Sequence, residues 1–314
     1  MKIAVVGAGG VGAFYGGLLA RAGHDVHFVA RGEQLDALRT RGLHISSLSL
    51  GEIQVPPMPA TSRAGEIGPA DLVLVSVKAH QTAGVLDEVA QLVGPTTIVM
   101  ALQNGVESDE LLVSRFGAAR VASAVVYVGA TLESPGFVRH VAAGTLVISN
   151  NERIRGVLAS TGLPVRIAPD IERQRWHKLA WNASFNAISA LTLRSSQDLL
   201  ADARTRALII GMMREVIAVA NAQGVTIGES DIEQLVATTE KAAAIRTSML
   251  VDRERGRPLE TDALVGVVVR KGQQAGISTP IAEVLYALLT AIDAPSAAAP
   301  ELPPMEAGSF TPQP

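Results

Sequence analysis

The chain opens with the stretch MKIAVVGAGGVGAFYGG, residues 1–17. Residues 3–6 form a short apolar run that predicts a buried β-strand, and the pattern after the glycines is typical of a helix. Gly7 would allow a tight turn, Gly9 would let a pyrophosphate approach the backbone, and Gly12 would let helix and strand pack closely. This G-x-G-x-x-G spacing in a strand–helix context predicts a dinucleotide site at a helix N-terminus. The alternative is an ordinary glycine-rich turn.

The composition narrows the class of protein. The chain has 314 residues, of which 48% are hydrophobic and 18% charged, which suits a globular protein of about two domains. A net charge of −3 leaves no basic footprint for nucleic acid, and no apolar run reaches the roughly 18 residues of a membrane span. The chain lacks cysteine, and its six histidines show no H-x-x-x-H spacing. We therefore expect no disulfide, no metal site and a cytoplasmic location. Because the N-terminus runs straight into the first predicted strand, we expect no signal peptide.

The end of the second predicted strand, residues 25–30, bears on the choice of cofactor. An NAD site usually has an acidic residue there, which bonds the ribose 2′-hydroxyl. This strand instead runs into Arg31, whose planar guanidinium can pair with a 2′-phosphate. The pattern favours NADP(H) over NAD, unless Arg31 is a plain surface arginine.

Two central strands end in polar residues. Residues 71–77 and 96–102 are near-continuous apolar runs, typical of buried parallel strands, and they end at Lys78 and near Asn104. Ligands bind outside the carboxyl ends of such strands, so both side chains are candidates for the cofactor crevice. Lys78 could equally be a solvated helix residue, and Asn104 could belong to a plain Asn-Gly turn.

The remaining pattern predicts two domains of different class. Residues 43–61 suggest an edge excursion of short strands, and residues 121–148 suggest antiparallel strands that extend the sheet. From residue 172 to about 292 the pattern is helical. We predict a Rossmann-type doubly wound α/β domain with added antiparallel strands (1–168) and an all-α domain (169–293). The Pro/Ala-rich stretch 294–314 is predicted to be a disordered tail.

A polar stripe marks the start of the helical region, RWHKLAWNASFNAISALTL (residues 175–193). Lys178, Asn182 and Asn186 recur at i, i+4 and i+8 and so share one helix face. Because asparagine is a poor helix former, the stripe suggests a polar groove, although a short exposed face would show the same spacing. A lysine in a cleft can act as an acid once desolvation lowers its pKa, and the asparagines can bond substrate hydroxyls.

Further polar residues follow in IRTSMLVDRERGRPLETDAL (residues 245–264). Glu260 and Asp262 precede an apolar helix, where carboxylates also simply favour the helix dipole. Ser248 is likewise open to two interpretations, a ligand contact or helix packing.

Together these motifs resemble the ketopantoate reductase (2-dehydropantoate 2-reductase) family of the 6-phosphogluconate-dehydrogenase-like superfamily. GAGGVG, VSVKAHQ, LQNGV, WHKLAWNASFNAISALT, SML and GRPLETDAL occur in family order. The resemblance spans residues 1–292 and implies an NADP-dependent oxidoreductase. The implied reaction is NADPH-dependent reduction of 2-dehydropantoate to pantoate, on the route to pantothenate and coenzyme A.

The resemblance also implies a role for each matching residue. Lys178 matches the proposed general acid, and Glu260 matches a glutamate that binds substrate and organises the lysine. Asn104 matches a residue at the cofactor–substrate junction. The further implied substrate contacts are Asn182, Asn186 and Ser248, and the implied cofactor contacts are Gly7, Ala8, Gly9, Gly10, Val11, Gly12, Arg31, Lys78, Asn104 and Ala130.

Some positions depart from the family pattern and leave the substrate open. Val265 and Ile245 stand where many or some members have asparagine, and residues 186–189 read Asn-Ala-Ile-Ser in place of Asn-Pro-Leu-Thr. A reductase of another bulky 2-keto acid is therefore an alternative, as is a non-catalytic NADP-binding sensor. The apolar helices suit either a homodimer interface or a plain domain core.

Overall fold

The computed structural model describes residues 1–293, with the side chain of Ala143 left aside. The tail predicted over residues 294–314 lies outside the described residues. The strands are β1 (Lys2–Val6), β2 (Asp25–Val29), β3 (Leu43–Ser47), β4 (Gly51–Val55), β5 (Ala60–Thr61), β6 (Ala70–Val75), β7 (Val93–Ala101), β8 (Val121–Ala122), β9 (Ala124–Ser134), β10 (Phe137–Ile148) and β11 (Val165–Ile167).

Helices connect these strands and then make up the rest of the described chain. The α-helices are α1 (Gly10–Arg21), α2 (Gly32–Thr40), α3 (Thr82–Ala90), α4 (Ser108–Phe116), α5 (Glu152–Ala159), α6 (Ile171–Trp181), α7 (Ala187–Thr192), α8 (Ser196–Ala201), α9 (Ala203–Ala222), α10 (Glu229–Lys241), α11 (Ser248–Glu254), α12 (Val267–Ala275) and α13 (Pro280–Asp293). Short 3₁₀ turns lie at Ala64–Glu66, Ala79–Gln81 and Ala118–Arg120, and π-helical turns at Asn182–Asn186 and Asp262–Gly266.

The first sheet is parallel and has the order β5-β2-β1-β6-β7-β8. Val6 in β1 pairs with Val29 on one side and with Val75 on the other. β2 and β6 thus flank β1 on opposite sides, which opens a crevice at the carboxyl ends of these strands. The predicted strands of this sheet and the Rossmann-type fold class are confirmed.

The second sheet differs from the prediction. The antiparallel pair β9–β10 is present, but β10 lies between β11 and β3 in a separate sheet with β4. The expectation that these strands extend the first sheet is therefore wrong, as is the placing of β3 and β4 in an edge excursion of that sheet. Only β5 of that excursion joins its edge.

Helix α1 lies between the two sheets, which explains why they are separate. A Cβ atom on Gly16 would lie 2.5 Å from the Phe28 ring in β2, and one on Gly17 would lie 3.0 Å from Leu43 and Ile45 in β3. Adjacent glycines thus let both sheets approach the same helix. One apolar cluster contains residues of α1 and of both sheets.

Helices α6 to α13 share a second apolar cluster. The Asp170 side chain accepts a hydrogen bond from the Arg173 amide and begins α6, as a carboxylate at an N-cap does. The single helix predicted over 175–193 is interrupted by the π turn at Asn182–Asn186. Val106, from the loop after β7, also belongs to this cluster.

Candidate active site

The glycine loop between β1 and α1 leaves space beside its backbone. Gly7 has a φ of +98°, which residues with side chains rarely adopt, and Gly9 is the N-cap of α1. A Cβ atom on Gly12 would lie 2.0 Å from the Gly7 carbonyl oxygen, whereas one on Gly9 would meet nothing within 4 Å. The first turn of α1 carries no acidic residue. The start of α1 therefore offers an open, positively polarised backbone that suits an anion.

Strand β9 of the second sheet borders the same loop. A Cβ atom on Gly10 would lie 2.3 Å from the carbonyl oxygen of Ala130. Ala8 is buried, and Val11 packs against the cluster shared by the two sheets. These two side chains anchor the loop, so a ligand there would meet its backbone.

Arg31 follows β2 and is the N-cap of α2. Its side chain is 74% exposed, and its Nη2 atom lies 2.7 Å from Glu88 Oε1 in α3. The next acidic residue, Glu33, lies in the first turn of α2. An accessible guanidinium thus stands at the carboxyl end of β2.

Lys78 meets two carboxylates of the helical region. Its Nζ atom donates to Asp252 Oδ2 over 2.7 Å and lies 3.6 Å from Glu260 Oε2. Burial alone would lower the pKa of Lys78, but Glu260 and Asp252 outweigh burial and raise it above its ordinary value. Lys78 is therefore a cation that joins the end of β6 to α11 and to the segment before the second π turn.

Asn104 lies at the centre of the polar network. Its Oδ1 atom accepts from Lys178 Nζ over 2.9 Å and from Asn182 Nδ2 over 3.4 Å. Its Nδ2 atom donates to Glu260 Oε2 over 3.0 Å. With a cation on one side and a carboxylate on the other, only one orientation of the amide satisfies both neighbours.

Lys178 is a buried ammonium in this network. Its Nζ atom also donates to the Val126 carbonyl oxygen and lies 5.5 Å from the centre of the Tyr127 ring. Burial lowers the pKa of Lys178 from 10.5 to about 8, and the Glu260 carboxylate opposes that shift. An ammonium with a pKa near working pH can give up a proton as a general acid.

Asn186 and Ser248 form a second polar pair. Asn186 Oδ1 accepts from Ser248 Oγ and from the Met249 amide, each over 3.3 Å. Asn182 and Asn186 are both buried, and they are the first and last residues of a π turn. Such π turns are frequent at functional sites. The network around Asn104 and this pair thus both lie along the stripe predicted from the sequence.

The network around Asn104 does not include Asp262, Val265 or Ile245. Asp262 accepts from Arg270 and Tyr286. Val265 is fully buried in the apolar cluster of the helical region. The Ile245 amide donates to Ser196 Oγ.

Sequence reasoning missed Asp252 and Arg175. Asp252 follows Ser248 by four residues, so its place on the same face of α11 could have been inferred. Arg175 precedes Lys178 by one helical turn and is buried, which no local pattern signalled.

Within residues 1–293, no cluster of three His, Asp or Glu side chains could hold a metal ion. No helix of that part is long and apolar enough to cross a membrane.

Comparison with known proteins gives consistent similarities. Residues 3–153 match the family described as "Ketopantoate reductase PanE/ApbA", and residues 170–293 match "Ketopantoate reductase PanE/ApbA C terminal". The chain is 34% identical to a 2-dehydropantoate 2-reductase of Mesorhizobium japonicum, over 92% of this chain and 97% of that protein.

Solved structures agree with these matches. The 2-dehydropantoate 2-reductase of Geobacter metallireducens is 35% identical and superposes with a TM-score of 0.87, over 93% of this chain and 99% of that one. D-mandelate dehydrogenase, solved with NADH and anilino(oxo)acetate, is 22% identical over 93% of this chain and 98% of that one. Its TM-score of 0.86 indicates the same fold.

Proposed function

Since the chain belongs to the ketopantoate reductase family, we propose that it catalyses the NADPH-dependent reduction of 2-dehydropantoate to pantoate, a step toward pantothenate and coenzyme A. The observation that carries the proposal is the contact of 2.9 Å between Lys178 Nζ and Asn104 Oδ1. It places a lysine with a lowered pKa where strand ends of the first sheet meet the helical region.

The residues present fit a bound NADPH. The open backbone at Gly9 and the acid-free start of α1 would hold the pyrophosphate. Arg31 would hold the 2′-phosphate in place of its bond to Glu88, and Lys78 and Asn104 would lie near the reacting end. When bound, NADPH supplies the hydride that reduces the C2 ketone.

Lys178 would supply the proton. Its ammonium would donate to the ketone oxygen as the carbon–oxygen double bond is reduced, which leaves a neutral amine that takes a proton back from solvent. Asn104 would orient the ammonium, and Glu260 would favour its charged form. Holding both partners in this geometry lowers the entropic part of the barrier.

The substrate would lie along the asparagine stripe. Because Asn186 Oδ1 already accepts from two donors of α11, its Nδ2 atom is the group left to donate to a substrate oxygen. Ser248 and Asn182 would supply further bonds. We propose that residues 1–168 bind the cofactor and that residues 169–293 bind the substrate. The reaction would take place in the cleft between them.

We also propose a homodimer through the helical region. On α13, Val284 is 60%, Leu288 49% and Ile292 41% exposed, and their i, i+4, i+8 spacing makes one apolar stripe. Sedimentation of the wild type and of Leu288→Asp tests this. A wild-type dimer that the substitution dissociates supports the interface, and a monomeric wild type rejects it.

The function is tested by following NADPH oxidation with 2-dehydropantoate beside a panel of other 2-keto acids. We expect turnover with 2-dehydropantoate to exceed that with the panel. Faster turnover of another acid would keep the mechanism and change the substrate. NADPH binding without turnover of any acid would reject an enzymatic role.

A further inference from the structure

Arg175 is a buried cation beside the active site. It lies on α6 one turn before Lys178, and its side chain is 5% exposed. Its Nη2 atom donates to the Val106 carbonyl oxygen over 2.5 Å. Its Nη1 atom donates to Glu172 over 2.8 Å and lies 3.4 Å from Asp109 Oδ2 in α4. Arg175 therefore joins α6 to the segment that follows β7.

That segment is the one that carries Asn104. Gly105 has a φ of +93°, and a Cβ atom there would lie 2.8 Å from the Ala263 carbonyl oxygen. Val106 is 1% exposed and lies in the apolar cluster of the helices. The loop 104–106 is thus inserted into the helical region, with its backbone close to the second π turn.

Arg175 and Lys178 contact this loop from the same side of α6. Residues three apart on a helix are neighbours on its surface. Arg175 bonds the backbone at residue 106, and Lys178 bonds the Asn104 side chain two residues earlier. The first contact holds the loop that carries Asn104 against the same face of α6 from which Lys178 reaches Asn104 Oδ1.

Stability alone does not explain why the Arg175–Asp109 ion pair is buried. Burial raises the pKa of Asp109 against the attraction of Arg175, and Asp109 Oδ2 has no hydrogen-bond partner. Replacing a buried pair by apolar residues is often neutral or stabilising, so such pairs can serve positioning more than stability.

We infer that Arg175 is a positioning residue for the reduction, which holds the Asn104 loop so that Asn104 orients the Lys178 ammonium. This inference rests on the proposed function and adds to it a residue that touches neither substrate nor cofactor. Removing the Arg175 contact should impair the proton-donating step while leaving the cofactor loop at Gly7–Gly12 unchanged.

The test compares Arg175→Met with Arg175→Lys. We expect Arg175→Met to lower kcat roughly ten- to hundredfold and to leave the dissociation constant for NADPH within about twofold of wild type. Arg175→Lys, which keeps a cation able to donate to Val106, should recover much of the loss. Arg173→Met is the matched control, since Arg173 lies on the same helix and also pairs with an aspartate, Asp231. It should leave kcat unchanged.

A second readout does not depend on turnover. The pKa of Lys178 is measured from the pH dependence of its acetylation rate, read by mass spectrometry. Glu260 and Tyr127 face this amine, with Lys78 and Asp252 beyond Glu260, and none of these four residues is substituted in the variants. Losing the Arg175 charge, one turn away on α6, would by itself raise the Lys178 pKa, whereas losing the Asn104 acceptor disfavours the charged amine. A fall of the Lys178 pKa by roughly one unit in Arg175→Met therefore reports the lost acceptor.

The outcomes separate this inference from the proposed function. If the wild type turns over no keto acid, the function fails, but the shift in the Lys178 pKa still tests Arg175. Should Arg175→Met not fold because Asp109 is left buried and unpaired, Arg175→Met/Asp109→Asn removes that charge and takes its place. A folded variant with wild-type kcat and an unshifted Lys178 pKa overturns the inference.

Discussion

Asn104 and Glu260 are joined by a hydrogen bond of 3.0 Å, from Nδ2 to Oε2, although they lie 156 positions apart in the chain. The bond links the carboxyl end of β7 to the segment before the second π turn. It also fixes the Asn104 amide, so that its oxygen faces Lys178. The proposed acid and the carboxylate that influences its pKa are therefore connected through one amide group.

Replacing Lys178 with alanine should remove the proton donor. We expect kcat to fall by about 10²- to 10⁴-fold, the usual contribution of general acid catalysis, with little change in the dissociation constant for NADPH. Steady-state kinetics measure kcat, and a fluorescence titration measures the dissociation constant for NADPH. Lys241→Ala, an exposed lysine of α10, is the control. Near-normal turnover without Lys178 would contradict its role.

The pH profile should report the same group. A general acid works while it is protonated, so the rate should fall as pH rises through the Lys178 pKa of about 8. Because Glu260 raises this pKa, Glu260→Gln should move the fall to lower pH, whereas Glu254→Gln on α11 should leave it in place. Rates measured from pH 6 to about 10 test this, and a shift to higher pH would refute the coupling.

Arg31 should determine the preference for NADPH. Losing a charge-assisted bond to the 2′-phosphate should raise KM for NADPH roughly ten- to hundredfold in Arg31→Ala. KM for NADH, which lacks that phosphate, should hardly change. Arg63 is another exposed arginine within residues 1–168, and Arg63→Ala serves as the comparison. Equal losses with both cofactors would mean that Arg31 does not bind the 2′-phosphate.

Two glycines of the loop should respond differently to alanine. A Cβ atom on Gly12 would lie 2.0 Å from a backbone oxygen, whereas one on Gly9 would meet nothing in the protein. Gly12→Ala should therefore lower the melting temperature. Gly9→Ala should keep the wild-type melting temperature and weaken NADPH binding, because the methyl group occupies the space needed by the pyrophosphate. Thermal unfolding and cofactor titration of both variants check the contrast.

The sequence was most informative where a contact is local. The strand–glycine–helix unit at residues 1–17 could be predicted because its turn chemistry is contained in consecutive residues. The strand-end rule and helical spacing indicated Asn104 and Lys178 separately, but the roles of the site residues came from the family resemblance.

Contacts between residues far apart in the chain could not be predicted from the sequence. The second sheet pairs β3 with β10, more than 90 positions later in the chain, and a strand pattern does not reveal its partners. Arg175 and Asp109 lie 66 positions apart, and their ion pair leaves no periodic signal. The π turn after Asn182 likewise adds a residue to a turn that regular spacing does not anticipate.

Helix α1 ties the unfolding of the two sheets together. Because one apolar cluster runs from the first sheet through α1 into the second, neither sheet can lose its order without exposing that shared interior. The two sheets should therefore unfold as a single cooperative unit. Native-state hydrogen exchange should give amides of β1 and β10 the same opening free energy, and NADPH bound at the start of α1 should raise both by an equal amount.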